Sequence, residues 1–172
     1  AMDEFAEYYE KMQKWTDTPM YFTPGMGKKH FSDEEIYKYC EDVAERLDYL
    51  YNEKNVKHIR YYCFSNEMSC VMWGVLLKDL PLFQKYHEGL FSAFQKRNLP
   101  IGLLATDASG YAYWDTIDYA IKNMPSVSED FCLHIYEREH DIYNLEFYDF
   151  FGEKCKEVVD KSIKCFGKRV IL

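Results

Sequence analysis

The sequence predicts an α/β protein of parallel strands with covering helices, arranged as a partial (β/α)8 TIM barrel of about five strands. Three observations carry this expectation. Short β-branched and aromatic runs alternate strictly with longer stretches of helical period. The chain opens on a helical segment with no strand before it and stops on the apolar run Arg169-Val170-Ile171-Leu172. Its 172 residues also fall short of the roughly 250 that a complete barrel takes. A bare core strand is a poor chain terminus. The expected unit is therefore one domain over 1–172, a fragment of a barrel lacking its first and last strands.

Each element has a local reason. Phe5, Tyr8, Tyr9, Met12 and Trp15 recur at helical spacing and make the opening helix, and Pro19 to Thr23 reads as a short strand. Pro24-Gly25-Met26-Gly27 is a loop signal, after which Ser32 and Glu35 form a capping box. The helix they open has Ile36, Tyr39, Cys40, Val43, Leu47, Leu50 and Tyr51 on its core face. Asn52 to Lys57 is a polar turn, and the run from Ile59 to Phe64 has strand character. The pattern repeats three times: a helix near Leu82 to Arg97 with a strand at Ile101 to Ala105, a helix near Tyr111 to Met124 with a strand at Phe131 to Tyr136, and a helix near Leu145 to Phe166. That last helix stops at Gly167 and leads into the terminal strand.

Composition excludes several classes of function. A formal charge of −8 argues against nucleic acid or an anionic membrane as the main partner. The longest apolar run, Val71 to Leu77, is too short to cross a bilayer, and the N-terminal residues lack signal-peptide architecture. The six cysteines, Cys40, Cys63, Cys70, Cys132, Cys155 and Cys165, contain no C-x-x-C pair. Reduced, buried thiols and a cytoplasmic location are the expectation, with export open if a segment precedes the present N-terminus. His30, His58, His87 and His140 share no ligand spacing, so neither metal nor cofactor is expected. Aromatics make up 18% of the chain, enough for a large core and for walls that stack on sugar faces, with Trp73, Tyr111, Tyr113 and Trp114 as candidates for the second use.

In parallel α/β folds ligands bind at the carboxyl ends of the strands. Here those ends carry Ser65-Asn66-Glu67, Thr106-Asp107-Ala108-Ser109-Gly110 and His134-Ile135-Tyr136-Glu137, a set of carboxylates, a carboxamide, hydroxyls and an imidazole suited to polyhydroxylated ligands. Pro24-Gly25-Met26-Gly27-Lys28-Lys29 is not a phosphate loop: Phe22 stands where the first glycine must be, and Lys29 where Ser or Thr must hold magnesium. No G-x-G-x-x-G and no G-x-S-x-G is present. Asn66-Glu67 directly follows a buried strand, whereas the second Asn-Glu pair, Asn52-Glu53, sits in a polar turn.

At Asn66-Glu67 the chain resembles the clan A glycoside hydrolases, retaining (β/α)8 enzymes whose fourth strand ends in Asn-Glu. At the level of pattern the resemblance covers most of the chain, from Val43 to Leu172. It implies that Glu67 is the general acid/base, that Asn66 hydrogen-bonds the substrate 2-hydroxyl, and that His134 and Tyr136 lie at sixth-strand positions approaching the substrate. Asp107 is either a substrate contact or the cap of the following helix. The clan's nucleophile, a Glu at the end of strand seven, would be expected just beyond Leu172. Glu137 follows the sixth strand, which is not where the clan places that group. The function expected is hydrolysis of an oligo- or polysaccharide by the complete enzyme. The fragment itself would be inactive and would self-associate or be complemented by the missing strands. The alternative is a non-catalytic α/β domain that binds a small polar ligand or assembles through open sheet edges.

Overall fold

A computed structural model of the chain describes residues 1–23, 32–66, 79–108, 114–134, 145–167 and 170–171. The elements, in order, are α1 (Met2–Met12), β1 (Met20–Phe22), α2 (Asp33–Asp48) with a π-helical turn at Tyr49–Glu53, β2 (Ile59–Tyr62), α3 (Leu80–Lys96), β3 (Gly102–Ala108), α4 (Asp115–Asn123), β4 (Asp130–Leu133), α5 (Leu145–Phe166) and β5 (Val170–Ile171). The strands form one sheet in the order β1-β2-β3-β4-β5, and every neighbouring pair is parallel. Sequential order has a geometric consequence. Right-handed crossovers that always step in the same direction lay their helices on one face, the arrangement of a barrel wall, whereas a doubly wound sheet reverses direction midway. Among the described residues no helix is long and apolar enough to cross a membrane.

Local chemistry fixes the ends of the elements. The capping box that opens α2 is formed: Glu35 N donates to Ser32 Oγ at 3.2 Å, and Ser32 N donates to Glu35 Oε2 at 3.2 Å. Asp79 caps α3 by accepting from Leu82 N at 2.9 Å, with Pro81 in the first turn, where a missing N–H costs nothing. Gly167 leaves α5 at φ +63, a conformation open to glycine without a Cβ clash.

Alternation along the strands assigns two faces. Met20, Phe22, Tyr62, Phe64, Leu103, Ala105, Phe131 and Leu133 join the core beneath the helices. Phe64 is buried there, its ring 4.9 Å from that of Phe83 and stacked on Tyr86 at 5.0 Å. The α2 and α3 helices approach closely because Gly89 has no side chain. A Cβ there would lie 2.8 Å from Cys40 Sγ. The opposite face has its own small cluster, in which Cys63, Leu104 and Cys132 pack with Tyr61 and Ile171. All five of these residues come from strands or from the residue next to one, and Cys63, Leu104 and Cys132 are buried.

Expectations about strand length need correction: the run from Ile59 to Phe64 is strand only to Tyr62, and the strand expected over Phe131 to Tyr136 ends at Leu133 with His134 just beyond it, Ile135 and Tyr136 lying outside the described residues. The strand predicted to stop at Ala105 runs on to Ala108. Thr106-Asp107 reads as a loop in sequence because both side chains are polar, yet both are fully buried and partnered. The pairing of β3 with β4 shifts register between Thr106 and Ala108, and Asp107 takes a left-handed backbone (φ 60) that Asp tolerates better than most residues. Within this irregular stretch Thr106 turns toward α4, where its hydroxyl meets Thr116 Oγ1 at 2.7 Å, while Asp107 turns to the opposite face.

Candidate functional site

The face opposite the helix-side core carries a ladder of polar groups. Near the start of β4, Tyr61 Oη donates to Asp130 Oδ2 at 2.7 Å. Above that pair lie Cys63, Leu104 and Cys132. At the carboxyl end of the strands Asp107 is the hub. Its Oδ1 accepts from Tyr21 Oη at 3.1 Å and from Cys132 Sγ at 3.4 Å, and it lies 2.8 Å from His134 Nε2. Three residues, from β1, from β4 and from the position after β4, thus converge on one β3 carboxylate that has no exposed surface.

Strand geometry explains the convergence. Tyr21 lies between Met20 and Phe22, both of which pack into the helix-side core, so its own side chain must point the other way. Cys132 and His134 flank Leu133 and share a face by the same rule. The ladder continues past the end of β4, with His134 N donating to Ala108 O at 2.7 Å, and this bond fixes where the imidazole begins. Trp114 Nε1 donates to His134 O at 3.4 Å from a buried position. That indole is packed into the core and is not a free sugar-stacking wall.

The electrostatics keep the thiols protonated. Burial, reinforced by the charge of Asp107, pushes Cys132 up to about 12 and raises Cys63 well above the ordinary thiol range. Burial of its hydroxyl also raises Tyr21, even though two-fifths of that residue is exposed. Tyr21 and Cys132 are therefore hydrogen-bond donors at neutral pH, and the Asp107 carboxylate is the acceptor they share.

Of the residues expected to form the site, the structure brings Asp107 and His134 together directly. Asn66 is exposed in the bend that follows β2, on a segment tied to the end of β1 by Thr23 Oγ1 donating to Ser65 O at 3.2 Å. Glu67 and Tyr136 lie outside the described residues, as do Trp73, Tyr111 and Tyr113. Of the two roles open to Asp107, the helix cap is excluded. It lies within β3, and α4 begins after Trp114 with no side-chain cap. Tyr21 and Cys132 were not candidates on sequence grounds. The signal for both was strand alternation, a polar group between two apolar ones in Met20-Tyr21-Phe22 and Cys132 two residues before His134. The same cluster supplies a mixed oxygen, sulfur and nitrogen donor set: one ligand-type atom each from Asp107, Cys132 and His134 lies within 4.8 Å of the others.

Compared with known proteins, the chain matches no family model, no curated protein and no solved structure. An α/β sheet hosts many chemistries, so function has to be argued from the site.

Proposed function

We propose that this chain carries the acid/base side of a retaining glycosidase site. The supporting observation is that Tyr21, Asp107 and His134 meet at the carboxyl ends of parallel strands on the face opposite the helix-side core, with Asn66 exposed in the bend after β2. A barrel-type active site occupies that position. Neutral and charged hydrogen-bonding groups in such an array suit the hydroxyls of a sugar.

In this reading Glu67 protonates the glycosidic oxygen as the bond to the anomeric carbon breaks, then takes a proton from the water that releases the sugar. Asn66 donates to the 2-hydroxyl, and this bond strengthens as positive charge builds on the ring. Asp107, buried and held by Tyr21 and Cys132, orients His134, whose side chain is one-quarter exposed, toward a sugar hydroxyl, and the resemblance gives Tyr136 a position approaching the substrate. Retention requires a second carboxyl about 5 to 5.5 Å from Glu67. The resemblance puts that group at the end of the clan's seventh strand. The substrate class is an oligo- or polysaccharide.

The test uses the full-length natural protein and a panel of aryl β-glycosides. Glu67→Gln is expected to abolish hydrolysis, and azide is expected to restore turnover of activated aryl glycosides by Glu67→Ala, because a small anion can attack where the missing base no longer activates water. Undiminished turnover in Glu67→Gln overturns the assignment, and so does a wild-type protein inert on the whole panel.

A further inference from the structure

The Asp107 hub has a second chemical identity that sugar binding does not use. We infer that Asp107, Cys132 and His134 form a three-donor binding site for a thiophilic divalent cation of the zinc class. Carboxylate oxygen, thiolate sulfur and imidazole nitrogen together are the donor types that zinc and cobalt(II) favour, and they disfavour magnesium and calcium, which take oxygen alone.

The spacing fits. Zinc bonds of about 2.3 Å to sulfur and about 2.0 to 2.2 Å to nitrogen and oxygen place tetrahedral ligand atoms roughly 3.3 to 3.7 Å apart. In the structure Cys132 Sγ is 3.4 Å from Asp107 Oδ1, and His134 Nε2 is 2.8 Å from the same oxygen. The first edge already suits a bound ion, and the second needs to open by about half an ångström. The side chains come from rigid places: β3, β4 and the residue held to β3 by the His134 N to Ala108 O bond. Asp107 and Cys132 are buried, while the His134 side chain is one-quarter exposed, which gives solvent a way in. Three ligands come from the described residues, the number that protein supplies in zinc sites that exchange a fourth ligand.

Binding follows a balanced exchange. The cation replaces the thiol proton of Cys132, which passes to buffer; the proton that His134 Nε2 shares with Asp107 moves to Nδ1 of the ring, freeing the Nε2 lone pair, and the hydrogen bonds that Cys132 and His134 make to Asp107 are exchanged for bonds to the metal. Linear sequence hides the site because Asp107 and Cys132 are 25 residues apart. It is assembled by neighbouring strands rather than by a local ligand motif.

Cobalt(II) titration of the metal-free protein tests this directly, since a tetrahedral cobalt–thiolate site absorbs both in the visible and, by charge transfer, in the near ultraviolet. One equivalent is expected to develop both bands, and zinc is expected to displace it while magnesium is not. Cys132→Ser is expected to remove the charge-transfer band, His134→Gln to weaken binding at least tenfold, and Cys155→Ser on α5 to leave the titration unchanged. Circular dichroism establishes that each variant is folded. Absence of the bands in the wild-type protein, or their persistence in folded Cys132→Ser, overturns the inference. The readout needs no hydrolysis, so it stands or falls separately from the glycosidase reading.

Discussion

The two faces of the sheet are made of different material. Under the helices, Tyr62, Phe64, Phe131 and Leu133 pack against Phe83, Tyr86, Leu90 and Phe94 in one continuous apolar core. On the other face the apolar cluster shrinks to Cys63, Leu104 and Cys132, flanked by the Tyr61–Asp130 and Tyr21–Asp107–His134 hydrogen bonds. Burial of large side chains scales with apolar area and therefore dominates stability on the first face. Small thiols and a shared carboxylate contribute little area and keep specific polar groups in place, so the second face is the one that can be spent on recognition. Proteins that bind at strand ends divide their labour in this way, with a rigid wall behind and a polar surface in front.

The comparison can be broken most forcefully on the helix side. Phe83 has no exposed surface and packs 4.9 Å from Phe64, so Phe83→Ala should cost about 3 to 5 kcal/mol, read as a lower urea midpoint at constant slope. A loss below about 1 kcal/mol would mean that the wall is not close-packed there.

Acid should strike the same side. His87 is buried beside Phe83 with Nε2 3.1 Å from Ser128 Oγ, and burial lowers its pKa from 6.5 to about 3. A base whose folded pKa is depressed binds its proton more readily when unfolded. Its contribution is therefore complete above pH 6.5 and is lost as the pH falls toward 3. Between about pH 6.5 and 4.5 the expected loss is roughly 2 to 3 kcal/mol, and His87→Gln should flatten that limb of the stability profile. A limb unchanged in the variant would assign the acid sensitivity to other groups.

The polar face should respond the opposite way. Asp107→Asn keeps the shape of the hub and removes its charge. In the full-length protein kcat/KM on aryl glycosides should fall about 10- to 100-fold while the urea midpoint moves little. Equal losses of activity and stability would show that the hub is structural.

A smaller effect sharpens the picture of the wall. Gly89→Ala gains roughly 1 kcal/mol of helix propensity but drives a Cβ to 2.8 Å from Cys40 Sγ, and Cys40 is nearly fully buried. Net destabilisation of about 1 to 2 kcal/mol is expected, with Cys40→Ala in the same chain relieving most of it.

Much of this architecture was legible in the chain. Periodicity located the five strands and the helices between them, and Ser32 with Glu35 marked the start of α2 because a capping box is a local device. The end of β3 was not legible. Thr106 and Asp107 are turn-forming types, and only partners supplied by Thr116, Tyr21, Cys132 and His134 make a buried strand tolerable for them. Asp107 and His134 stood out as strand-end polar residues. Tyr21 did not, because a tyrosine between two apolar residues in a short strand looks like core until the direction of its neighbours is known.

The order of elements, their periods and their caps are properties of short windows, since each depends on contacts only a few residues long. Sequence alone was enough to determine them, and through them the class of sheet. Which strand-end groups meet is a different kind of fact. Tyr21 reaches Asp107 across 86 residues of chain, and Cys132 reaches it across 25, only because strand pairing sets a register and a bulge in β3 turns one carboxylate to the face opposite the helix-side core. Register and bulge are settled by packing between strands, a many-body balance that no local pattern encodes, so the tertiary structure alone decided the site.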